Sequence, residues 1–304
     1  MNKKPIVAIL LATYNGQKYI KEQLMSLDKQ TFQDFVCYIH DDGSSDGTRE
    51  IALEFCKNKP EKFILIESEP CGGAKDNFLF LMKQIKNEPY IMFCDQDDQW
   101  DPNKISISLA ALREIENKSD LACVYTDLIV SDKNLKEISP SFYTFSGKDP
   151  YKNDLVSLLM NNVAVGCTMM ITRELAKKSL EKTNCELLFM HDWWIALLAS
   201  ACGSISYINS PLIKYRQHGE NNVGAIKKKT LLEKFSGRKA FRKRVLRSVN
   251  FAKALDLVLD NSNHYKEFVH HMASVYEHDW FYRAAFFLKK GLIPKSKFWK
   301  VFWI

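Results

Sequence analysis

The sequence lacks any pair of cysteines at the C-x-x-C spacing, although its 304 residues include eight cysteines. A zinc site or a disulfide framework would group its cysteines at short, repeated spacings. Here the cysteines are scattered, and most of them lie inside apolar runs. They are Cys37, Cys56, Cys71, Cys94, Cys123, Cys167, Cys185 and Cys202. We therefore predict buried free thiols, which are typical of a reducing cytoplasmic compartment.

Glycine and long apolar runs are also scarce. The loop LATYNGQ after the first predicted strand holds a single glycine, so the phosphate-binding fingerprint of dinucleotide-dependent oxidoreductases is absent. The apolar run at residues 6–12 is too short to span a membrane. It leads directly into folded-looking sequence, which argues against a signal peptide.

Acidic residues are nearly missing from the C-terminal part of the chain. Residues 1–226 carry 25 Lys and Arg against 30 Asp and Glu, whereas residues 227–304 carry 18 against 6. We therefore divide the sequence into a catalytic-type domain over 1–226 and a basic, helical C-terminal extension over 227–304.

The end of this extension combines aromatic and basic side chains. Residues 281–304 contain eight aromatic residues, six Lys or Arg and no acid. Exposed aromatic rings among lysines are typical of a protein docked on an anionic membrane surface. The alternative is a helix that packs its aromatic rings on the core. No nucleic-acid recognition module is present, so nucleic acid is not an expected partner.

Short apolar strands alternate with amphipathic helices over the first 120 residues. The segments PIVAILLA, FVCYIHDD, KFILIES and YIMFCD predict four strands, and a helical pattern follows each of them. This alternation predicts an α/β fold, with a mostly parallel central sheet and helices on both faces.

A polar cluster follows each predicted strand: TYNG, DDGSSDGT, EPCGGAKDN and DQDDQW. Ligands of such sheets bind beyond the carboxyl ends of the strands, so we expect the four clusters to form one site.

The most acidic of these clusters contains Asp95, Asp97 and Asp98. Carboxylates at a strand end repel one another unless a cation neutralises them. A divalent ion that also binds substrate phosphate is the usual solution. The alternative is a solvated turn that caps the next helix, a role for which we expect Asp101, with Pro102 at the first helical position.

The order of these motifs is more specific than any one of them. TYN and DDGSSDGT, followed some fifty residues later by DQDDQW, resemble the N-terminal half of family 2 glycosyltransferases, which are inverting enzymes of the GT-A fold. With HDWW and YRQHGENNVG, the sequence looks most like the rhamnosyltransferase-type members that build bacterial surface polysaccharides.

The resemblance implies a role for several positions. Thr13, Tyr14 and Asp42 would hold the nucleotide base. Asp95 would contact the ribose and, with Asp97, bind Mg²⁺ or Mn²⁺ at the diphosphate. Lys75 and Asn77 would lie near the nucleotide-sugar.

Asp192, near a predicted helix N-terminus, would be the catalytic base. The alternative is that Asp192 only caps the helix and has no catalytic role.

Trp193 and Trp194 are either core residues or a platform on which a sugar stacks. Arg216 and His218 are either phosphate contacts or surface residues, and a histidine-based metal site is not expected.

The expected activity is therefore metal-dependent hexosyl transfer. The first expected donor is dTDP-rhamnose, and the acceptor is a saccharide or lipid-linked saccharide at the inner face of the cell membrane. Two alternatives stay open: transfer from a UDP-sugar (galactose, glucose or N-acetylhexosamine), and binding of nucleotide-sugar without catalysis. A haloacid-dehalogenase-type phosphatase is disfavoured because its D-x-D motif comes early in the chain and is followed by Gly-Thr.

Overall fold

The computed structural model describes residues 5–181, 184–218, 238–293 and 300. The strands are β1 (Val7–Thr13), β2 (Phe35–Asp41), β3 (Phe63–Leu65), β4 (Tyr90–Cys94), β5 (Gln99–Trp100), β6 (Ala122–Ser131), β7 (Glu137–Ser139), β8 (Met169–Thr172) and β9 (Ser204–Arg216). The helices are α1 (Ile20–Asp28), α2 (Thr48–Asn58), α3 (Ala74–Lys83), α4 (Lys104–Glu116), α5 (Phe142–Ser146), α6 (Leu155–Met160), α7 (Arg173–Leu180), α8 (His191–Cys202), α9 (Arg238–Val258), α10 (Lys266–Ala273) and α11 (Trp280–Lys289).

The predicted parallel sheet is present. Strands β3, β2, β1 and β4 lie side by side in that order and run parallel, with Val7 paired to Phe35 of β2 and to Tyr90 of β4. All residues of β2 and β4 are buried, which explains why these segments are almost continuously apolar. The carboxyl ends of these strands meet at one edge of the sheet.

The second half of the sheet mixes strand directions. Strand β8 lies between β4 and β6 and is antiparallel to both, whereas β9 runs parallel to β6. The short strand β5 pairs antiparallel with the end of β9, so Trp100 lies opposite Ile213. This pairing brings residues that follow β9 to the loop that follows β4.

The helices largely follow the sequence pattern. In α1 the predicted inward residues Ile20, Leu24 and Leu27 are fully buried. The start of α4 differs from the prediction, because the helix begins at Lys104 rather than at Pro102. Asp101 accepts a hydrogen bond from the backbone of Asn103, so it closes the turn before the helix and is not the N-cap.

The C-terminal helices pack on the α/β body. The Ser248 hydroxyl on α9 donates a hydrogen bond to the Leu159 carbonyl on α6, over a distance of 2.5 Å. Helix α11 buries Phe286 and Phe287, whereas Phe281 is 78% exposed. Part of the segment 281–304 therefore packs its aromatic rings on the core, as the alternative to membrane docking predicts. The predicted domain boundary at residue 226 and the tail at 294–299 and 301–304 lie outside the described residues.

Within the described ranges, none of the helices has the length and apolar character needed to cross a bilayer. All eight cysteines are free thiols, but the predicted burial holds for five of them, because Cys71 and Cys202 are half-buried and Cys185 is exposed.

Candidate active site

The loops after β1 and β2 are joined through the predicted residue Thr13. Its hydroxyl donates a hydrogen bond to Oδ1 of Asp41 (2.8 Å), and the same carboxylate accepts bonds from the backbone and hydroxyl of Ser44. The Asn15 side chain accepts from the backbone of Ser45 at 2.9 Å. The TYNG and DDGSSDGT motifs therefore form one rigid wall at the edge of the sheet.

Tyr14 projects from this wall and is 57% exposed. Its backbone is held from both sides by the Gln96 amide, which accepts from the Tyr14 N–H and donates to the Tyr14 carbonyl, each at 2.8 Å. Gly16 permits this approach, because a Cβ there would lie 2.1 Å from Gln96 Oε1. The ring of Tyr14 is thus free to meet a ligand, while its backbone is fixed to the acidic loop.

Asp42 lies beside this wall and organises the loop after β3. Its carboxylate accepts hydrogen bonds from the backbone N–H groups of Cys71, Gly72 and Gly73. Gly72 and Gly73 have φ values of 85° and 145°, which L-residues rarely adopt. Asp42 therefore fixes the conformation of the loop at residues 71–73, which lies beside the predicted base-binding residues.

Both predicted residues of α3 form hydrogen bonds to other segments of the chain. Asn77 is buried, and both of its polar groups bond to His40, through Nδ1 at 2.9 Å and the carbonyl at 3.2 Å. Its role here differs from the expected ligand contact, because it fastens α3 to β2. The Lys75 ammonium donates to the Cys185 carbonyl at 2.9 Å and so ties α3 to the segment before α8.

Asp95 and Asp98 meet the thiol of Cys167 in a cluster whose ligand atoms all lie within 4.8 Å of one another. Desolvation, together with the charges of Asp97 and Asp192, raises the pKa of Asp95 to about 7. The pKa of Asp98 is raised as well, mainly by burial. Both shifts arise mainly from burial, and the charges of neighbouring carboxylates add to them.

The sequence analysis gave Asp98 no ligand role, and the structure shows why it matters. Asp98 is fully buried, and its Oδ1 accepts from the Arg216 backbone at 3.0 Å. Its Oδ2 is buried without a hydrogen-bond partner in the described part of the chain. A buried carboxylate oxygen left unpaired is costly unless it binds a cation.

Lys104 lies close to this cluster. It is fully buried, and its side-chain nitrogen lies 3.7 Å from the centroid of the Trp100 ring. Desolvation lowers its pKa to about 7, and neighbouring acidic groups, Asp98 among them, oppose this shift. No role was predicted for this position from the sequence.

Asp97 faces a residue from the far end of the sheet. Its Oδ2 lies 2.7 Å from Nε2 of His218, and both side chains are almost completely buried. The Arg216 guanidinium donates to the Asp97 carbonyl at 2.7 Å and also pairs with Glu22. His218 and Arg216 therefore lie against the acidic loop, and the surface-residue alternative does not hold for either, because both side chains are largely buried.

Asp192 is the second residue of α8, as the HDWW motif predicted. Its Oδ2 accepts from the Gly166 backbone at 3.1 Å and its Oδ1 from the Trp193 backbone at 2.6 Å. Burial raises its pKa to about 6, even though these hydrogen bonds and Lys148 favour the ionised form. Asp192 is thus a carboxylate that takes up a proton near neutral pH, close enough to Asp95 to raise that residue's pKa.

The neighbours of Asp192 form its packed support. Trp193 and Trp194 are both buried, and their indole N–H groups donate to the carbonyls of Leu158 and Ser179. They are core residues, so the sugar-platform alternative is not supported. The His191 ring packs 4.2 Å from the Phe78 ring, and burial lowers the pKa of His191 to about 3.

The donor atoms of this site suit a hard divalent cation. Asp95, Asp97 and Asp98 supply carboxylate oxygens, and Asp98 has one oxygen that lacks any partner among the described residues. Oxygen donors suit Mg²⁺ and Mn²⁺, and Mn²⁺ also accepts an imidazole such as that of His218. The residues present therefore fit such an ion.

Known proteins resemble this chain in sequence and in fold. The model of the family described as glycosyl transferase family 2 matches residues 8–180. The dTDP-rhamnosyl transferase RfbG of Shigella flexneri is 32% identical over 228 residues, which cover 71% of this chain and 74% of that protein.

Two solved structures share the fold. S. aureus TarS 1–349 in complex with UDP has a TM-score of 0.57 at 18% identity, with 97% of this chain and 74% of that chain covered. The mannosyltransferase PcManGT from Pyrobaculum calidifontis, in complex with GDP-Man and Mn²⁺, has a TM-score of 0.51 at 14% identity, with 97% and 78% covered.

Proposed function

The chain belongs to glycosyl transferase family 2, and from that premise we propose that it is a metal-dependent inverting transferase. It moves a hexose from a nucleoside diphosphate sugar to a saccharide acceptor. One observation carries the proposal: three aspartates of the loop after β4 converge with Asp192 at the carboxyl edge of the sheet, where burial, together with the charges of Asp97 and Asp192, raises the pKa of Asp95.

Asp192 acts as the general base. In its ionised form it takes the proton from the acceptor hydroxyl while the hydroxyl oxygen bonds to the anomeric carbon. The bond between that carbon and the diphosphate oxygen breaks on the opposite face, which inverts the configuration. The pKa of about 6 leaves most of the base ionised at neutral pH and still able to accept a proton.

Asp95, Asp97 and Asp98, with His218, would hold the divalent ion. A bound ion would supply positive charge to neutralise the negative charge that develops on the departing diphosphate. The His218 and Arg216 contacts fix the orientation of the acidic loop, so its carboxylates are positioned before the donor arrives.

The wall formed by the first two loops holds the nucleotide. The exposed Tyr14 ring stacks on the base. Thr13 and Asp42 set the shape of the pocket through Asp41 and through the backbone of residues 71–73. Lys75 lies on the same side, at the N-terminus of α3.

The first proposed donor is dTDP-rhamnose, which the relationship to the Shigella flexneri transferase supports. The proposed product is part of a cell-surface polysaccharide, assembled at the inner face of the cell membrane. A UDP-sugar is the second candidate donor.

Transfer assays with a panel of nucleotide-sugars test the proposal. Wild type with Mn²⁺ is expected to turn over one donor, and both chelation and Asp192→Ala are expected to abolish turnover. Retained donor binding in Asp192→Ala would separate a lost base from a misfolded chain. Donor binding without turnover by the wild type, with every donor and acceptor tried, would instead indicate a binding protein.

A further inference from the structure

A cavity of about 400 Å³ lies between the segment 147–163 and the C-terminal helices. Its walls come from the loop before α6, from α6 itself, from α9 and from residues 291–293. The volume is in the range that binds small organic ligands. None of the nucleotide or metal residues described above lines it.

Four cations border this cavity and one acid does: Lys148, Lys152, Arg244 and Lys300, with Asp149. Among the described residues, Lys148, Lys152 and Arg244 make no ion pair with a carboxylate. The Asp149 carboxylate accepts from the Tyr151 backbone at 3.0 Å and so closes its own turn. Basic side chains therefore outnumber acidic ones in the lining of this cavity.

The remaining wall is apolar. Six side chains line it: Val156, Met160, Val163, Phe241, Leu292 and Ile293. A cavity that places cations beside an apolar wall suits a ligand with an anionic head and a hydrocarbon chain.

The cavity is physically coupled to the catalytic base. The Lys148 ammonium donates to the Asn162 carbonyl at 2.8 Å, and its charge lowers the pKa of Asp192. On the same side, the Trp193 indole N–H donates to the Leu158 carbonyl, which joins α8 to α6. The cavity and the Asp192 carboxylate are therefore linked through the charge of Lys148.

We propose that this cavity binds the diphosphate and the first isoprenoid units of a polyprenyl-diphosphate-linked acceptor. Lys148, Lys152 and Arg244 contact the diphosphate, and the apolar wall covers the start of the prenyl chain. The orientation toward Asp192 rests on the proposed function, but binding of the lipid does not depend on catalysis. The C-terminal helices, on this account, complete the acceptor site.

Equilibrium binding of farnesyl diphosphate in EDTA tests the site. Without a divalent ion the acidic cluster repels a diphosphate, so the probe should not bind at the donor site. Wild type is expected to bind the probe, and Lys152→Gln with Arg244→Gln is expected to weaken binding by about tenfold or more, because hydrogen bonds from charged groups are lost. Lys243→Gln is the matched control, since Lys243 is an exposed cation on α9 that does not line the cavity.

Two further probes show whether the cavity recognises a lipid-linked diphosphate or a free diphosphate. Farnesol is expected to bind more weakly than farnesyl diphosphate, and so is inorganic diphosphate. Equal binding of inorganic diphosphate and farnesyl diphosphate would overturn the lipid assignment. Unchanged binding in the single variants and in the double variant would overturn the site.

Nucleotide-sugar hydrolysis with Mn²⁺ separates this inference from the proposed function. The double variant is expected to hydrolyse donor at the wild-type rate while the KM for a lipid-linked acceptor rises. Loss of hydrolysis together with loss of lipid binding in the double variant would indicate a folding defect. The single variant Lys152→Gln is then measured instead, because Lys152 is exposed and its replacement should not disturb folding.

Discussion

Nε2 of His218 lies 2.7 Å from Oδ2 of Asp97, although 121 residues separate them in the chain. His218 follows β9 and Asp97 follows β4, and the pairing of β5 with β9 brings the two segments together. The acidic loop is therefore completed only when the last strand of the sheet is in place. Metal binding by this chain should therefore depend on His218 as well as on the aspartates at positions 95 and 97.

Removing the imidazole should weaken Mn²⁺ binding. We expect His218→Ala to lower Mn²⁺ affinity by roughly 10- to 100-fold and Asp97→Ala to lower it further, as measured by calorimetry with dTDP present. His270→Ala is the matched control, because it removes a histidine–aspartate pair, with Asp256 at 2.9 Å, from α10. Equal Mn²⁺ affinity in His218→Ala and the control would contradict the assignment.

Replacing the base should affect chemistry more than binding. We expect Asp192→Asn to reduce kcat by about 10²- to 10⁴-fold with little change in donor affinity. Asp154→Asn is the control, since Asp154 caps α6 at a comparable helix start and Asn caps as well. A fall in kcat of less than about tenfold would mean that another group accepts the proton.

The pH dependence of kcat should report Asp192. Its carboxyl has a pKa of about 6, so below that pH the protonated form accumulates and cannot accept the acceptor's proton. At saturating Mn²⁺, kcat should fall about tenfold per pH unit below about pH 6 and should be level above it. A flat profile down to about pH 5 would be inconsistent with this base.

The contribution of Asp95 to the stability of the metal-free protein should decrease as the pH rises. The folded state binds a proton at Asp95 more tightly than the unfolded state does, because its pKa is raised from 3.8 to about 7. This group therefore favours folding at low pH, and its contribution is lost between about pH 4 and pH 7. In EDTA, the Tm of wild type should fall more steeply than that of Asp95→Asn over this range.

The same comparison in Mn²⁺ and dTDP provides the check. The bound cation favours ionised carboxylates, so the difference in slope between wild type and Asp95→Asn should disappear. If the Tm of wild type and the Tm of Asp95→Asn change with pH in the same way in EDTA, the pKa of Asp95 is not raised in the folded state.

Removing the Tyr14 ring should weaken donor binding. Stacking on a base is worth about 1–3 kcal/mol, so Tyr14→Ala should raise the donor KM roughly tenfold and leave kcat nearly unchanged. Phe281→Ala is the control, because it truncates another exposed aromatic ring, on α11. If the two variants have the same KM, Tyr14 does not contact the nucleotide.

Local patterns predicted the parallel half of the sheet because β1, β2 and β4 are almost completely buried and each strand is followed by an amphipathic helix. The same reasoning placed Thr13, Tyr14, Asp42 and Asp95 at one edge, since parallel strands end on the same side. Asp192 was predictable from HDWW only through its resemblance to known motifs.

The long-range contacts could not be predicted in this way. No local signal pairs His218 with Asp97 or brings Cys167 to Asp95, because strand order in the antiparallel half decides both. The burial of Asn77 and Lys104 has no local signal either. Polar side chains in helices are usually solvated, and only the packed structure shows that these two are buried.

Titration of Mn²⁺ into the wild-type chain with dTDP or UDP present tests the central claim most directly. The account predicts one ion per chain, nucleotide binding that EDTA abolishes, and loss of both in Asp97→Ala. Nucleotide that binds equally well in EDTA, or an ion that binds equally well without Asp97, would contradict it.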